Sequence, residues 1–372
     1  MIPLNKFMPT KTTSGRHSRR NFLLAGMFSV LGALWVGLQK LFGRNQAMQY
    51  GPDSLSATAG GSADAFPHSP HVFGTVGDIH TDDFDPTDFL SAWNFNDLPP
   101  EERSDYYQET SRADGSTLRE YTFIAVDKEI EIAPGVYFPA WTYNGQVPGP
   151  TIRATEGDHL RIRFLNQGSH PHTIHFHGWH HPAVDGAFPD QFVHPGEEFV
   201  YEFDAEPTGV HLYHCHSTPL KRHIHKGLYG AYIVDPVEPR SEARELVMVM
   251  NGFDTNFDAD NEVYAVNTVA FHYMNHPIRV RTGKPVRIYV INVTEFDPIN
   301  SLHIHAVFFD VYRTGTRTTS HEYTDTVMMC QAERAIIECT FRYPGRYMFH
   351  AHQSEFAELG WMGVIEATDA PV

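Results

Sequence analysis

Four His-x-His pairs constrain this 372-residue chain more than any other feature. They are His175-Phe176-His177, His214-Cys215-His216, His303-Ile304-His305 and His350-Ala351-His352. In an extended strand, residues two apart point to the same face, so each pair presents two imidazoles side by side. The pairs fall at matching points of an internal repeat: one pair, then Pro195-Gly196 or Pro344-Gly345, then a second pair. His175 and His214 are 39 residues apart, and His303 and His350 are 47 apart. One β-domain therefore occurs twice. Histidines satisfied in ordinary cores do not pair at repeat-matched positions. Neutral imidazole is a ligand for copper, zinc, iron and nickel, so eight rings in this arrangement predict a metal cluster.

The same alternation defines a second site. Cys215 sits between His214 and His216 and so points the opposite way, as does His172, three residues before His175. One face of the two strands carries four histidines; the other carries His172 and Cys215. Position allows His223 or His225 as a third ligand. His223 is preferred, because Leu228, five residues on, then falls where an axial ligand would stand. A His2Cys set with a weak or absent axial ligand describes a blue-copper electron-transfer centre. Leucine cannot coordinate, so a high reduction potential is expected. Zinc also accepts Cys and His, but eight further imidazoles exceed what one tetrahedral zinc site uses. In the second repeat Ala351 replaces Cys215 and Asn300 replaces His172, so this centre occurs once. Met362 there reads as a core methionine.

The rest of the chain predicts an all-β fold. Segments such as Arg119–Val126, His159–Leu165, Pro285–Ile291 and Ala335–Phe341 alternate and are rich in β-formers, with Pro-Gly turns between them. Two tandem Greek-key sandwich or barrel domains are expected at 119–240 and 241–372. Residues 46–118 read as a linker followed by a strap of isolated aromatics over 81–118. Residues 1–45 hold Arg19-Arg20 before an apolar stretch from Phe22 to about Phe42. This reads as a twin-arginine export signal, and its length would also serve as a membrane anchor. A periplasmic or other extracytoplasmic location is expected. The net charge of −17 opposes nucleic-acid binding. Three cysteines exclude a disulfide scaffold. Cys330 and Cys339 flank a turn at 331–334, and the sequence leaves open whether they are bonded to each other.

On these residues the chain resembles the multicopper oxidase family. The matching segments are Asn144–Ile152, Glu156-Gly157-Asp158, His172–Gly178, Asp185-Gly186, Pro195-Gly196-Glu197 and the four His-x-His pairs, within about 119–367. Two domains with the cysteine in the first resemble the two-domain, laccase-like branch. The resemblance implies cupredoxin domains and four coppers per chain. A reductant, either a small molecule or a metal ion, would be oxidised one electron at a time at His172, Cys215 and His223. O2 would be reduced to water at a trinuclear cluster of His175, His177, His214, His216, His303, His305, His350 and His352. It implies a homotrimer with the cluster between neighbouring chains, although sequence alone also allows pairing within one chain. It implies a proton-relaying carboxylate, for which Asp185 is the first candidate and Glu355 and Glu358 are weaker ones. Copper nitrite reductase is the runner-up: it has the same two domains but needs only three histidines at its catalytic copper. Where the resemblance would place its catalytic Asp, this chain has His175. A blue-copper carrier without catalysis would leave eight histidines unused. His180, His181, His194 and His225 remain candidate edges of a substrate pocket.

Overall fold

The computed structural model describes residues 86–90 and 106–372. Among the described residues the fold is mostly β, with short helices only. In the first half, β1 (Tyr107–Ser111), β2 (Thr117–Ala133), β5 (His159–Asn166) and β7 (Glu198–Asp204) form one sheet in that order, with β3 (Val136–Tyr143) also on β2. The opposing sheet runs β4 (Gly149–Thr155), β9 (Tyr229–Asp235), β8 (Gly209–His214), β6 (His175–Phe176). Inward-facing Tyr121, Phe123, Ile162, Phe164 and Tyr201 fill the space between them. The β2–β5 and β4–β9 pairs are parallel beside antiparallel neighbours, so both sheets are mixed.

The second half repeats the plan. One sheet runs β11 (Val263–Val266), β10 (Arg244–Phe253), β13 (Pro285–Asn292), β18 (Arg334–Thr340), β15 (Phe309–Arg313), β16 (Glu322–Thr324). The other runs β12 (Ile278–Arg281), β20 (Met362–Thr368), β19 (Gly345–His350), β14 (Ile299–Ile304), β17 (Thr326–Cys330). A third apolar cluster joins the halves: Val210, Leu212 and Ile233 pack with Val247, Val249 and Ile291. Every residue of β8 is buried, because its two faces serve two cores. Tyr213 and Cys215 enter the first sandwich, while Val210 and Leu212 enter the layer between the domains.

Three expectations change. The sheet begins at Tyr107 rather than Arg119, because β1 adds to the edge of β2. Of the expected strap, α1 (Pro86–Leu90) inserts Phe89 into the layer between the domains and Leu90 into the second core, and Tyr273 Oη donates to the Pro86 carbonyl at 2.6 Å. The turn at 331–334 does not make a hairpin: β17 and β18 belong to different sheets, and Cys330 and Cys339 are both free. The export or anchor segment lies outside the described residues. No helix among the described residues is long and apolar enough to cross a membrane.

Candidate metal centres

The two sites arise from one strand pair. Register places His175 opposite His214 and Phe176 opposite Tyr213. The chain then leaves β8 with Cys215 turned inward and His214 turned outward. Helix α2 (Leu220–His225) follows and returns His223 to the cysteine. Cys215 Sγ lies 3.2 Å from His223 Nδ1 and 3.9 Å from His172 Nδ1, and the two nitrogens are 3.2 Å apart. Three ligands each about 2.0–2.3 Å from one ion stand roughly 3.3–4 Å from one another, so this triangle fits a single metal. His225 is excluded: its Nε2 accepts the Asp254 amide at 2.8 Å, on another side of the helix. The set is buried, and Trp141 covers both rings at 4.8 and 5.2 Å between centroids. The Thr173 amide donates to Sγ at 3.3 Å.

Burial sets the protonation states. It lowers His172 to about 2 and His223 to about 4, keeping both imidazoles neutral and ready to ligate. It raises the Cys215 thiol, against hydrogen bonds from Ser217 and Thr173 that favour the thiolate. A cation in this triangle would offset that desolvation by displacing the proton.

On the other face, His177 Nε2 lies 3.2 Å from His214 Nε2, and the His175 ring is 5.3 Å from that of His216. The His175 Nδ1–H donates to the Asp185 carbonyl at 2.9 Å, and the His214 Nδ1–H to the Cys215 carbonyl at 2.9 Å. A carbonyl only accepts, so both rings carry their proton on Nδ1 and turn the Nε2 lone pair outward. The second domain copies this. His303 faces His350 in register. The His303 Nδ1–H donates to the Asp325 carbonyl at 2.7 Å and the His350 Nδ1–H to the Ala351 carbonyl at 2.6 Å. His305 Nε2 lies 3.0 Å from His350 Nε2, and the His352 ring is 5.4 Å from that of His303. Even the hydroxyl brace is repeated: Thr173 accepts the His216 amide at 3.0 Å, and Ser301 accepts the His352 amide at 2.8 Å.

Within one chain, no domain 2 histidine lines the cavity in front of the domain 1 histidines. Among the described residues, no group of ligand atoms within 4.8 Å combines histidines of both domains. The first half lines a cavity of about 530 Å³ together with Val293, Glu295, Gln331 and Ala332 of the second domain. The second half is open to solvent at His305 and His352.

The candidate acids separate clearly. Asp185 Oδ1 is 3.1 Å from His175 Nδ1 and 3.6 Å from His180 Nε2, behind the ring that its own carbonyl also holds. Glu355 and Glu358 are exposed on α3 (Ser354–Glu358). Of the other histidines singled out from sequence, His181 and His194 are exposed, and His180 Nε2 donates to the Phe176 carbonyl at 2.9 Å. Sequence reasoning missed Trp141, the Asp325 carbonyl and Glu295. Each lies far along the chain from the motif it serves, and none carries a spacing signal.

Comparisons with known proteins agree with this layout. Sequence models of the family described as "Multicopper oxidase" match residues 125–239 and 241–371. The chain is 30% identical over 249 residues to a copper-containing nitrite reductase of Neisseria gonorrhoeae, covering 61% of this chain and 62% of that protein. It thus spans just under two thirds of that relative's length. It is 32% identical over 191 residues to an L-ascorbate oxidase of Cucurbita maxima, covering 47% of this chain and 28% of that one. A crystal structure titled as a multicopper oxidase is 53% identical with a TM-score of 0.72, covering 76% of this chain and 97% of that chain.

Proposed function

The chain belongs to the multicopper oxidase family, and we propose that it is a laccase-like oxidase coupling one-electron oxidation of a small-molecule or metal-ion reductant to reduction of O2 to water. One observation carries the reading: two separate half-clusters, built from the same donors and the same carbonyl braces, together offer eight imidazoles. A three-histidine catalytic site leaves five of them without purpose. In this reading His172, Cys215 and His223 hold one copper, and the eight histidines hold about three more, contributed by domain 1 of one copy and domain 2 of a neighbour in a homotrimer. Copper there supplies one-electron redox chemistry at the thiolate and O2 reduction among the imidazoles.

The chain's own residues do the remaining work. Cys215 is bonded through the backbone to His214 and His216, so the two sites are joined by a short covalent path. Trp141 keeps water from the His172 and His223 rings. Asp185 and Asp325 aim His175 and His303 by their carbonyls, as partners behind metal-bound histidines do. The N-terminal segment makes this an exported enzyme, held at the membrane if the segment is retained.

Nitrite reduction is the second reading, favoured by the relative from Neisseria gonorrhoeae. Copper analysis together with parallel assays of O2 uptake and nitrite consumption separates them. About four coppers per chain with O2 uptake supports the oxidase. About two coppers with nitric oxide release overturns it.

A further inference from the structure

The cavity in front of the domain 1 histidines holds one carboxyl group, and it comes from the other domain. Glu295 lines this space together with His175, His177, His214, His216 and Gln331. It follows β13 and is only 7% exposed. Its backbone carbonyl is clamped by the Asn261 amide group at 2.7 Å, which fixes the segment that carries it. Asp185, by contrast, does not line the cavity: it sits behind His175 at Nδ1, where it orients the ring. The cavity reaches the surface at Leu220 and Lys221, both exposed.

Resting on the oxidase reading, we infer that Glu295 is the acid that delivers protons to O2 as it is reduced in this cavity. The reaction consumes one O2, four electrons and four protons and releases two waters. The electrons come from the one-electron reductant oxidised at the Cys215 site. In each delivery the Glu295 O–H bond breaks, its proton passes to a reduced oxygen, and the carboxylate left behind is reprotonated from solvent through the opening at Lys221.

The charge environment suits this role. Burial raises the Glu295 carboxyl above its usual range, while the hydrogen bond from Gln331 and the ammonium of Lys221 pull it down. The other titratable groups lining the cavity are the four histidines, and Arg334 stands 3.4 Å from His177. A carboxylic acid held nearer neutrality is a better matched proton donor than an ordinary one.

The test uses full-length, copper-loaded enzyme carrying Glu295→Gln or Glu295→Asp. Infrared spectra of the wild type, copper-free and copper-loaded, are expected to show a carboxylic-acid carbonyl band that persists to higher pH than those of exposed carboxyls and that Glu295→Gln removes. Anaerobic bleaching of the thiolate–copper colour by reductant should be unchanged. Reoxidation of the reduced enzyme by O2 should slow by about 10²-fold in Glu295→Gln and lose its dependence on the carboxyl titration. Glu295→Asp should recover part of the rate, and it carries the comparison if the Gln variant loses copper. Wild-type reoxidation and pH profile in Glu295→Gln, with normal O2 uptake by the parent enzyme, overturn this inference alone. A parent enzyme that takes up no O2 overturns the oxidase reading and this inference together.

Discussion

The backbone carbonyl of Cys215 accepts the Nδ1–H of His214 at 2.9 Å, so the residue whose sulfur faces one site also orients a ring of the other. The pairing of His350 with Ala351 at 2.6 Å repeats the geometry without the sulfur. The brace is thus a property of the strand end in both domains, and the thiolate centre was built onto only one of them. Removing the sulfur should leave the brace untouched.

Cys215→Ser is therefore expected to abolish the intense blue absorption while the histidine cluster keeps most of its copper. Copper content should fall by about one per chain. Visible absorption, EPR and metal analysis on one preparation check this, and colour that survives the substitution shows that Cys215 is not the thiolate ligand.

The separation of the half-clusters predicts complementation between chains. A variant with His175 and His177 changed to Ala and another with His303 and His305 changed to Ala should each be inactive. If domain 1 of one copy pairs with domain 2 of its neighbour, random co-assembly restores intact clusters at about a quarter of the interfaces. Co-expression followed by O2-uptake assay reads this out. Activity that stays absent in verified mixed oligomers means that each cluster forms within one chain.

Acid should unfold the copper-free protein steeply. Burial holds His172 at about 2, His214 and His225 at about 3, and His211 and His223 at about 4, all below the usual histidine value of 6.5. The unfolded chain takes up these protons below about pH 6.5 and the folded chain does not. Their stability is thus fully present above 6.5 and is lost as pH falls towards the folded values. Each buried ring contributes roughly 1.4 kcal/mol per pH unit in that window. Urea midpoints between pH 7 and 5 should fall sharply; a flat profile would show that these rings are not held neutral.

Asp185→Asn keeps the backbone carbonyl behind His175 and removes the charge at 3.1 Å. Partners of this kind typically change metal affinity or activity by about 10–100-fold when lost, and here the retained carbonyl favours the lower end. Copper retention against a graded chelator measures it. Glu355→Gln and Glu358→Gln, on the exposed face of α3, should match the parent protein.

What could be read without coordinates was periodic or contiguous. Strand alternation put Cys215 and His214 on opposite faces, and the repeat announced two β-domains, because both follow from the direction of successive side chains along an extended backbone. The choice of His223 over His225 needed helix α2, since two residues along a helix point in different directions and only the fold shows which one faces Cys215. Glu295 and Trp141 reach their sites through packing between segments far apart in sequence, and no local pattern records that. Likewise, four His-x-His pairs at matching points of a repeat imply a cluster by spacing alone. That they form two half-sites facing different surroundings was decided by how Val210, Leu212 and Ile233 pack on Val247, Val249 and Ile291, an apolar contact that sets the domains side by side and leaves the second imidazole group open to solvent.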